Sequence, residues 1–271
     1  MNNTNLVFIL GSGRCGTKAL VKMLAGTPDL EAHHEYVRYY YQKEAVLYFE
    51  ELISYEEMQN KLKSIYDGAA YYSEARTFLD SSHKLVWCAD VLQETYPKAK
   101  YVHLIRDGRK VVSSFYNKLN IHSDKASKEF REFKASIKWE TYNLPMPPPS
   151  ERYWWPPTEY SDRWQRICWY WAVMNEMLDE LVYKSDSESI QTKLEDLTTD
   201  KDELKMLLDF IEVPFRESYW DALQKPDHVY VPINYSLTDL QREQFNEIAA
   251  PTMEKFGYNI DEDEYNVKYP V

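Results

Sequence analysis

The sequence predicts an α/β fold in which a central parallel sheet is flanked by helices. Three observations lead there. Leu6–Leu10 is a uniformly apolar run that passes through a glycine-rich turn into a helix. Ala99–Ile105 reads as a further strand that runs through a basic turn into a second helix. Between and after them lie longer segments whose apolar residues recur every three or four positions. Strands that are apolar throughout are buried on both faces, as in a parallel sheet. Two strand-turn-helix units place both turns at the carboxyl edge of that sheet, where open α/β folds bind ligands.

The elements follow in order. Ala19–Ala25 continues the first helix, with Leu20, Met23 and Leu24 on one face, and Gly26-Thr27-Pro28-Asp29 stops it. Leu30–Glu35 is a short connection or strand, where a second strand is due. Tyr36–Ser54 and Tyr55–Asp67 read as helices. Lys84–Cys88 reads as a buried strand, and Val91–Tyr96 as a short helix closed by Pro97. Ile121–Tyr160 is rich in Pro, Trp and Tyr and has the character of a lid, a binding loop or a surface excursion. Ser161–Tyr183 carries the stripe Trp164, Ile167, Cys168, Trp171, Met174, Leu178 and Leu181, which is core packing. Ser189–Leu194 is a strand, Lys201–Ile211 an amphipathic helix, and Leu237–Phe256 a terminal helix. With no internal repeat and no clear boundary, residues 1–271 read as one domain with an insertion at 121–160.

Composition narrows the function. The chain has 271 residues and a formal charge of -12, which argues against a general binder of nucleic acid or anionic membrane. An anionic ligand must be held by a local basic cluster. Three cysteines without CxxC spacing suit a reducing compartment, and no apolar run reaches the ~18 residues of a membrane span. The N-terminal apolar run ends in glycine after five residues, a strand and not a signal peptide, so the expected location is cytoplasmic.

Gly11, Gly13 and Gly16, with Arg14 and Lys18 among them, make a phosphate cradle at a helix N-terminus. The spacing of Gly11 and Gly16 fits a Walker loop, but Thr17-Lys18 reverses its Lys-Thr order. The bland alternative is a strand-turn-helix corner with incidental charge. Cys15 reads as a small loop filler. The second turn supplies Arg106 and, eight residues on, Ser114, a pairing suited to another phosphate.

Together these motifs resemble the sulfotransferase family that uses 3′-phosphoadenosine-5′-phosphosulfate. RCGTK, Arg14–Lys18, is similar to its 5′-phosphosulfate loop, and IRDGRKVVSS, Ile105–Ser114, to its 3′-phosphate motif. LEDLTTDKDELKMLLDFIEVPF, Leu194–Phe215, and Gly257-Tyr258 match its downstream patterns. Arg106-Asp107-Gly108-Arg109 and the TPD segment most resemble protein-tyrosine sulfotransferases and their bacterial relatives. The resemblance implies a P-loop-like three-layer fold and transfer of a sulfuryl group to the hydroxyl of a small molecule, sugar or peptide, with no metal. It implies nucleotide contacts from Gly13, Arg14, Cys15, Gly16, Thr17, Lys18, Arg106 and Ser114. Glu35 then corresponds to the catalytic base, with His34 as the other candidate, and Arg14 and Lys18 stabilise charge on the transferring group. Lys84 stands at a strand start where relatives often carry a lysine near the sulfuryl group. Two departures stand out: Lys18 replaces the usual Thr or Ser, and Leu194 replaces a tyrosine near the adenosine. The alternatives are a P-loop small-molecule kinase, with Asp90 after Lys84–Cys88 as its second carboxylate, and a non-catalytic nucleotide-binding protein on the same scaffold.

Overall fold

The computed structural model describes residues 4–119, 163–184, 186–225, 234–235, 237–260 and 267–268. The insertion at 121–160 and the acidic stretch at 261–266 lie outside the described residues. Contacts divide the chain into two compact units, Met1–Arg106 with Met174–Asp227 and Asp107–Val173 with His228–Val271.

The first unit holds the sheet. Its strands are β1 (Asn5–Leu10), β2 (Leu30–His34), β3 (Thr77–Ser82), β4 (Lys100–Ile105) and β5 (Ser189–Lys193). They lie in the order β2-β3-β1-β4-β5, and every pairing is parallel. Beyond its exposed first residue β1 is buried throughout, as its unbroken apolar run requires, with β3 on one side and β4 on the other. After β3 the chain crosses to the far side of β1 before forming β4.

Alternation along the strands supplies two cores. Val7 and Ile9 of β1, Leu79 of β3 and Val102 and Leu104 of β4 pack with Leu20 and Met23 of α1 (Thr17–Met23). The same cluster takes Leu197 of α7 (Leu194–Thr199), Leu204, Leu207 and Leu208 of α8 (Lys201–Phe210) and Tyr219 and Leu223 of α9 (Glu217–Leu223). On the other face Phe8 meets Tyr66 of α3 (Tyr55–Tyr72) edge-on at 5.0 Å and stacks with Tyr101 at 5.6 Å. The Tyr101 hydroxyl donates to the carbonyl of Leu92 in α4 (Ala89–Thr95). A capping box between Ser54 and Glu57 starts α3.

Two expectations are corrected. Lys84–Cys88 is not a strand but a 3-10 helix, and the strand lies just before it at Thr77–Ser82. Both stretches are wholly buried, but the apolar run lies in Lys84–Cys88 while Thr77–Ser82 is mostly polar, so the apolar pattern marked the wrong one. Tyr36–Ser54 is not one helix but a short 3-10 turn, Arg38–Tyr40, followed by α2 (Gln42–Phe49).

The second unit contains α5 (Gly108–Leu119), the first part of α6 (Arg163–Lys184), α10 (Asp239–Lys255) and the short antiparallel pair β6 (Asn234–Tyr235) and β7 (Val267–Lys268). The aromatic stripe of α6 is buried at all seven expected positions. The ring of Trp171 lies so close to the start of α5 that a Cβ on Gly108 would come within 2.9 Å of it. No helix among the described residues is long and apolar enough to cross a membrane.

Candidate active site

Four adjacent strands, β2, β3, β1 and β4, end on the same edge of the sheet, and each carries candidate chemistry at its carboxyl end. β1 leads into the glycine loop. Gly13, Arg14 and Gly16 adopt left-handed φ values of 74°, 54° and 99°. Left-handed residues spaced in this way curl successive peptide N–H groups around a concavity suited to an anion. Two glycines are required sterically. A Cβ on Gly11 would sit 2.5 Å from the Leu104 carbonyl oxygen, and one on Gly16 would sit 2.6 Å from Leu194 Cδ1. Leu194, where the resemblance leads one to expect a tyrosine, therefore closes the back of the loop. Cys15 is fully buried, and burial pushes its thiol up to about 11, so at neutral pH it is a protonated filler. Thr17 is buried at the start of α1, whereas Lys18 is exposed.

Arg106 follows β4 and donates from Nη1 to the Arg14 carbonyl at 2.8 Å. It thus braces the loop at the residue whose side chain is a candidate for the transferring group. The neighbouring basic residue plays another part. Arg109, only 1% exposed, forms a forked ion pair with buried Asp107 at 2.6–3.2 Å, while Asp107 Oδ1 also accepts from the Arg109 peptide N–H. Within Arg106-Asp107-Gly108-Arg109, the second arginine and the aspartate pair with each other at the start of α5. Ser114 is buried in α5, in the second unit.

At the end of β2 stand His34 and Glu35. The Glu35 N–H donates to the Ser81 carbonyl at 3.0 Å, extending the pairing with β3 by one residue. Glu35 then turns left-handed at φ 57°. Its carboxylate takes a hydrogen bond from His83 Nδ1 at 2.9 Å on Oε1 and one from Arg38 on Oε2. Burial pushes the Glu35 carboxyl up, but the bonds from His83 and Arg38 outweigh it and hold the group well below the ordinary carboxylate range. His83 is lowered to about 4 by burial and by the charge of Lys84, so it is neutral at pH 7 and presents Nδ1–H to Glu35. His34 donates Nδ1–H to the Ser81 carbonyl at 3.0 Å, which leaves the lone pair on Nε2. Burial lowers its pKa as well, and the nearby charge of Lys18 acts in the same direction.

The fold thus gathers Arg14, Lys18, His34, Glu35, Lys84 and Arg106 at neighbouring strand ends of the first unit. Lys84 opens the 3-10 helix after β3 and is buried. His83 was missed in the sequence. Its only signal is a place directly after the strand Thr77–Ser82, which the pattern of apolar residues did not reveal. Asp90, considered as the carboxylate of a kinase, does not follow a strand. It sits in the first turn of α4 and accepts from the Tyr48 hydroxyl at 2.8 Å. Among the described residues no group of three or more His, Cys, Asp or Glu side chains could hold a metal ion.

Residues 6–143, just over half the chain, match the sequence profile of the sulfotransferase family. The chain is a member of that family. Solved structures agree on the fold. The sulfotransferase domain from the curacin biosynthetic pathway covers 100% of this chain and 94% of its own, at 16% identity and a TM-score of 0.51. A sulfotransferase from Alicyclobacillus acidocaldarius covers 98% and 99%, at 18% identity and a TM-score of 0.53. One from Mycobacterium avium covers 96% and 78%, at 10% identity and a TM-score of 0.56. No curated protein sequence matches the chain. The sulfotransferase thus has the α/β architecture expected from its strand-turn-helix units, with a five-stranded parallel sheet flanked by helices.

Proposed function

We propose that this sulfotransferase moves a sulfuryl group from 3′-phosphoadenosine-5′-phosphosulfate to an acceptor hydroxyl by in-line displacement, with Glu35 as the base. The observation that carries the reading is the Glu35–His83 pair. A buried, ionised carboxylate stands at the end of β2, separated only by β3 from the strand that feeds the glycine loop. As the acceptor oxygen bonds to sulfur, the bond from sulfur to the 5′-phosphate oxygen breaks and the leaving phosphate takes the electron pair. The acceptor proton passes to Glu35. Residues Gly13–Lys18 would hold the 5′-phosphosulfate, with Arg14 and Lys18 offsetting its charge, and Arg106 and Ser114 would hold the 3′-phosphate. Lys84 would add positive charge at the sulfuryl group.

One observation favours His34 as a second base. Its Nδ1–H is committed to the Ser81 carbonyl, which fixes the tautomer whose Nε2 can accept a proton. The acceptor is a small-molecule, sugar or peptide hydroxyl. Tyr39 and Tyr40, exposed just beyond Glu35, offer aromatic surface for it. We read the chain as one sulfotransferase-like domain acting in the cytoplasm.

Thermal unfolding tests the co-substrate. At about a hundred times its dissociation constant, 3′-phosphoadenosine-5′-phosphate should stabilise the protein by about 2.7 kcal/mol. ATP with magnesium at the same concentration should do less. Stabilisation by ATP alone would overturn the reading.

A further inference from the structure

We propose that Asp80 is a positioning residue that holds the Glu35 turn in its working conformation, an inference that rests on Glu35 being the base. Asp80 lies in the middle of β3 and is fully buried. Such a position in a parallel sheet ordinarily belongs to an apolar side chain. Its Oδ1 accepts the Tyr36 peptide N–H at 3.0 Å, and its Oδ2 accepts the Tyr66 hydroxyl at 2.6 Å. Both donors are neutral, so no ion pair explains the carboxylate there.

The bond to Tyr36 falls where regular pairing stops. The Glu35 N–H still reaches the Ser81 carbonyl, and the next N–H turns away from the ladder and reaches the Asp80 side chain. Between those two anchors Glu35 is left-handed, and Val37, a β-branched residue, is also left-handed at φ 40°. A β-branched residue seldom enters that region unless its surroundings impose it. Asp80 supplies the imposing contact on the site side of the strain. Tyr66 fixes the carboxylate in turn, and its ring is braced edge-on against Phe8 of β1. The chain of contacts runs from β1, whose end forms the nucleotide loop, through Tyr66 and Asp80 to the backbone that aims Glu35 at His83.

Histidine-selective 15N NMR of the full chain tests this without nucleotide or acceptor. The Nδ1–H of His83, bonded to a carboxylate, should give a downfield proton resonance that is lost in His83→Gln. In the double variant Asp80→Leu/Tyr66→Phe both hydrogen-bonding side chains are replaced by apolar groups of similar shape, so the fold should hold. The resonance should nonetheless disappear or move, because Tyr36 loses its acceptor. Asp80→Asn keeps an oxygen for the Tyr36 N–H and should restore the wild-type signal. If the folded double variant keeps the signal, or if Asp80→Asn loses it equally, the proposal is overturned. Should the double variant not fold, Asp80→Ala removes the acceptor outright, and an unchanged signal there overturns the proposal too. Failure of 3′-phosphoadenosine-5′-phosphate to stabilise the wild-type protein would count against the co-substrate alone, since the resonance is read in its absence.

Discussion

Glu35 and Asp80 are buried carboxyls whose surroundings push them in opposite directions. Glu35 takes hydrogen bonds from His83 and Arg38 and stays ionised, whereas burial raises Asp80 to about 6. Their effects on stability are opposite too. Glu35 titrates lower in the folded protein than its ordinary 4.5, so the stability it contributes is complete above that value and lost as pH falls. Asp80 titrates higher than its ordinary 3.8, so its ionised form opposes folding above about pH 6, and that opposition is relieved as pH falls toward 4. The shift corresponds to about 3 kcal/mol at pH 7 as an upper value. Asp80→Asn is therefore expected to be more stable than wild type at pH 7, with the gain shrinking at pH 5, as read by urea unfolding at the two values. A gain that does not change with pH would contradict this account of Asp80. For catalysis, Glu35→Gln should lower turnover by about 10²–10⁴-fold while leaving stabilisation by 3′-phosphoadenosine-5′-phosphate unchanged. A fall of less than about tenfold would move the base to His34.

Among the elements, the glycine loop is the most demanding. Gly16→Ala would force a side chain into the left-handed region and against Leu194. It should cost about 1–3 kcal/mol and weaken nucleotide binding, measured by chemical unfolding and by calorimetric titration. This loop was readable in the sequence because glycine spacing and a bounding apolar strand are local signals. β3 was not. Its residues, Thr77-Phe78-Leu79-Asp80-Ser81-Ser82, are polar at half their positions or more, yet all six are buried. Asp80 and Ser82 use their polar groups on partners distant in sequence: Asp80 on Tyr66 and Tyr36, Ser82 on Tyr41. Nothing local distinguishes such a strand from a loop, whereas Leu85-Val86-Trp87 next to it looks like one. Losing β3 concealed His83, which matters only because its strand lies beside β2. Glu35 could be reached by family resemblance, but its left-handed turn and its bond to His83 could not. Of the segment proposed for the 3′-phosphate, the placement of Arg106 at the end of β4 was legible. The mutual pairing of Asp107 and Arg109 was not, because basic residues in a turn look alike until their partners are known.

At the scale of the whole molecule, the proposed anionic co-substrate would bind a chain of formal charge -12 against its long-range field. On that reading selectivity would come from short-range contacts with the basic side chains at the strand ends, Arg14, Lys18, Lys84 and Arg106. The place of β1 in the sheet has a different consequence. It is the first of the five strands to be synthesised and the central one, and its partners come much later: Asn5 pairs opposite Thr77, and Val7 opposite Lys100. At about 5–20 residues per second, a ribosome needs roughly 5–20 s to deliver the second of those neighbours. Throughout that interval the most apolar strand has at least one open edge. Refolding from denaturant should accordingly be slow and should lose yield as protein concentration rises, which light scattering during refolding would record. The strand that leads into the glycine loop is thus also the one most dependent on protection while the protein is being made.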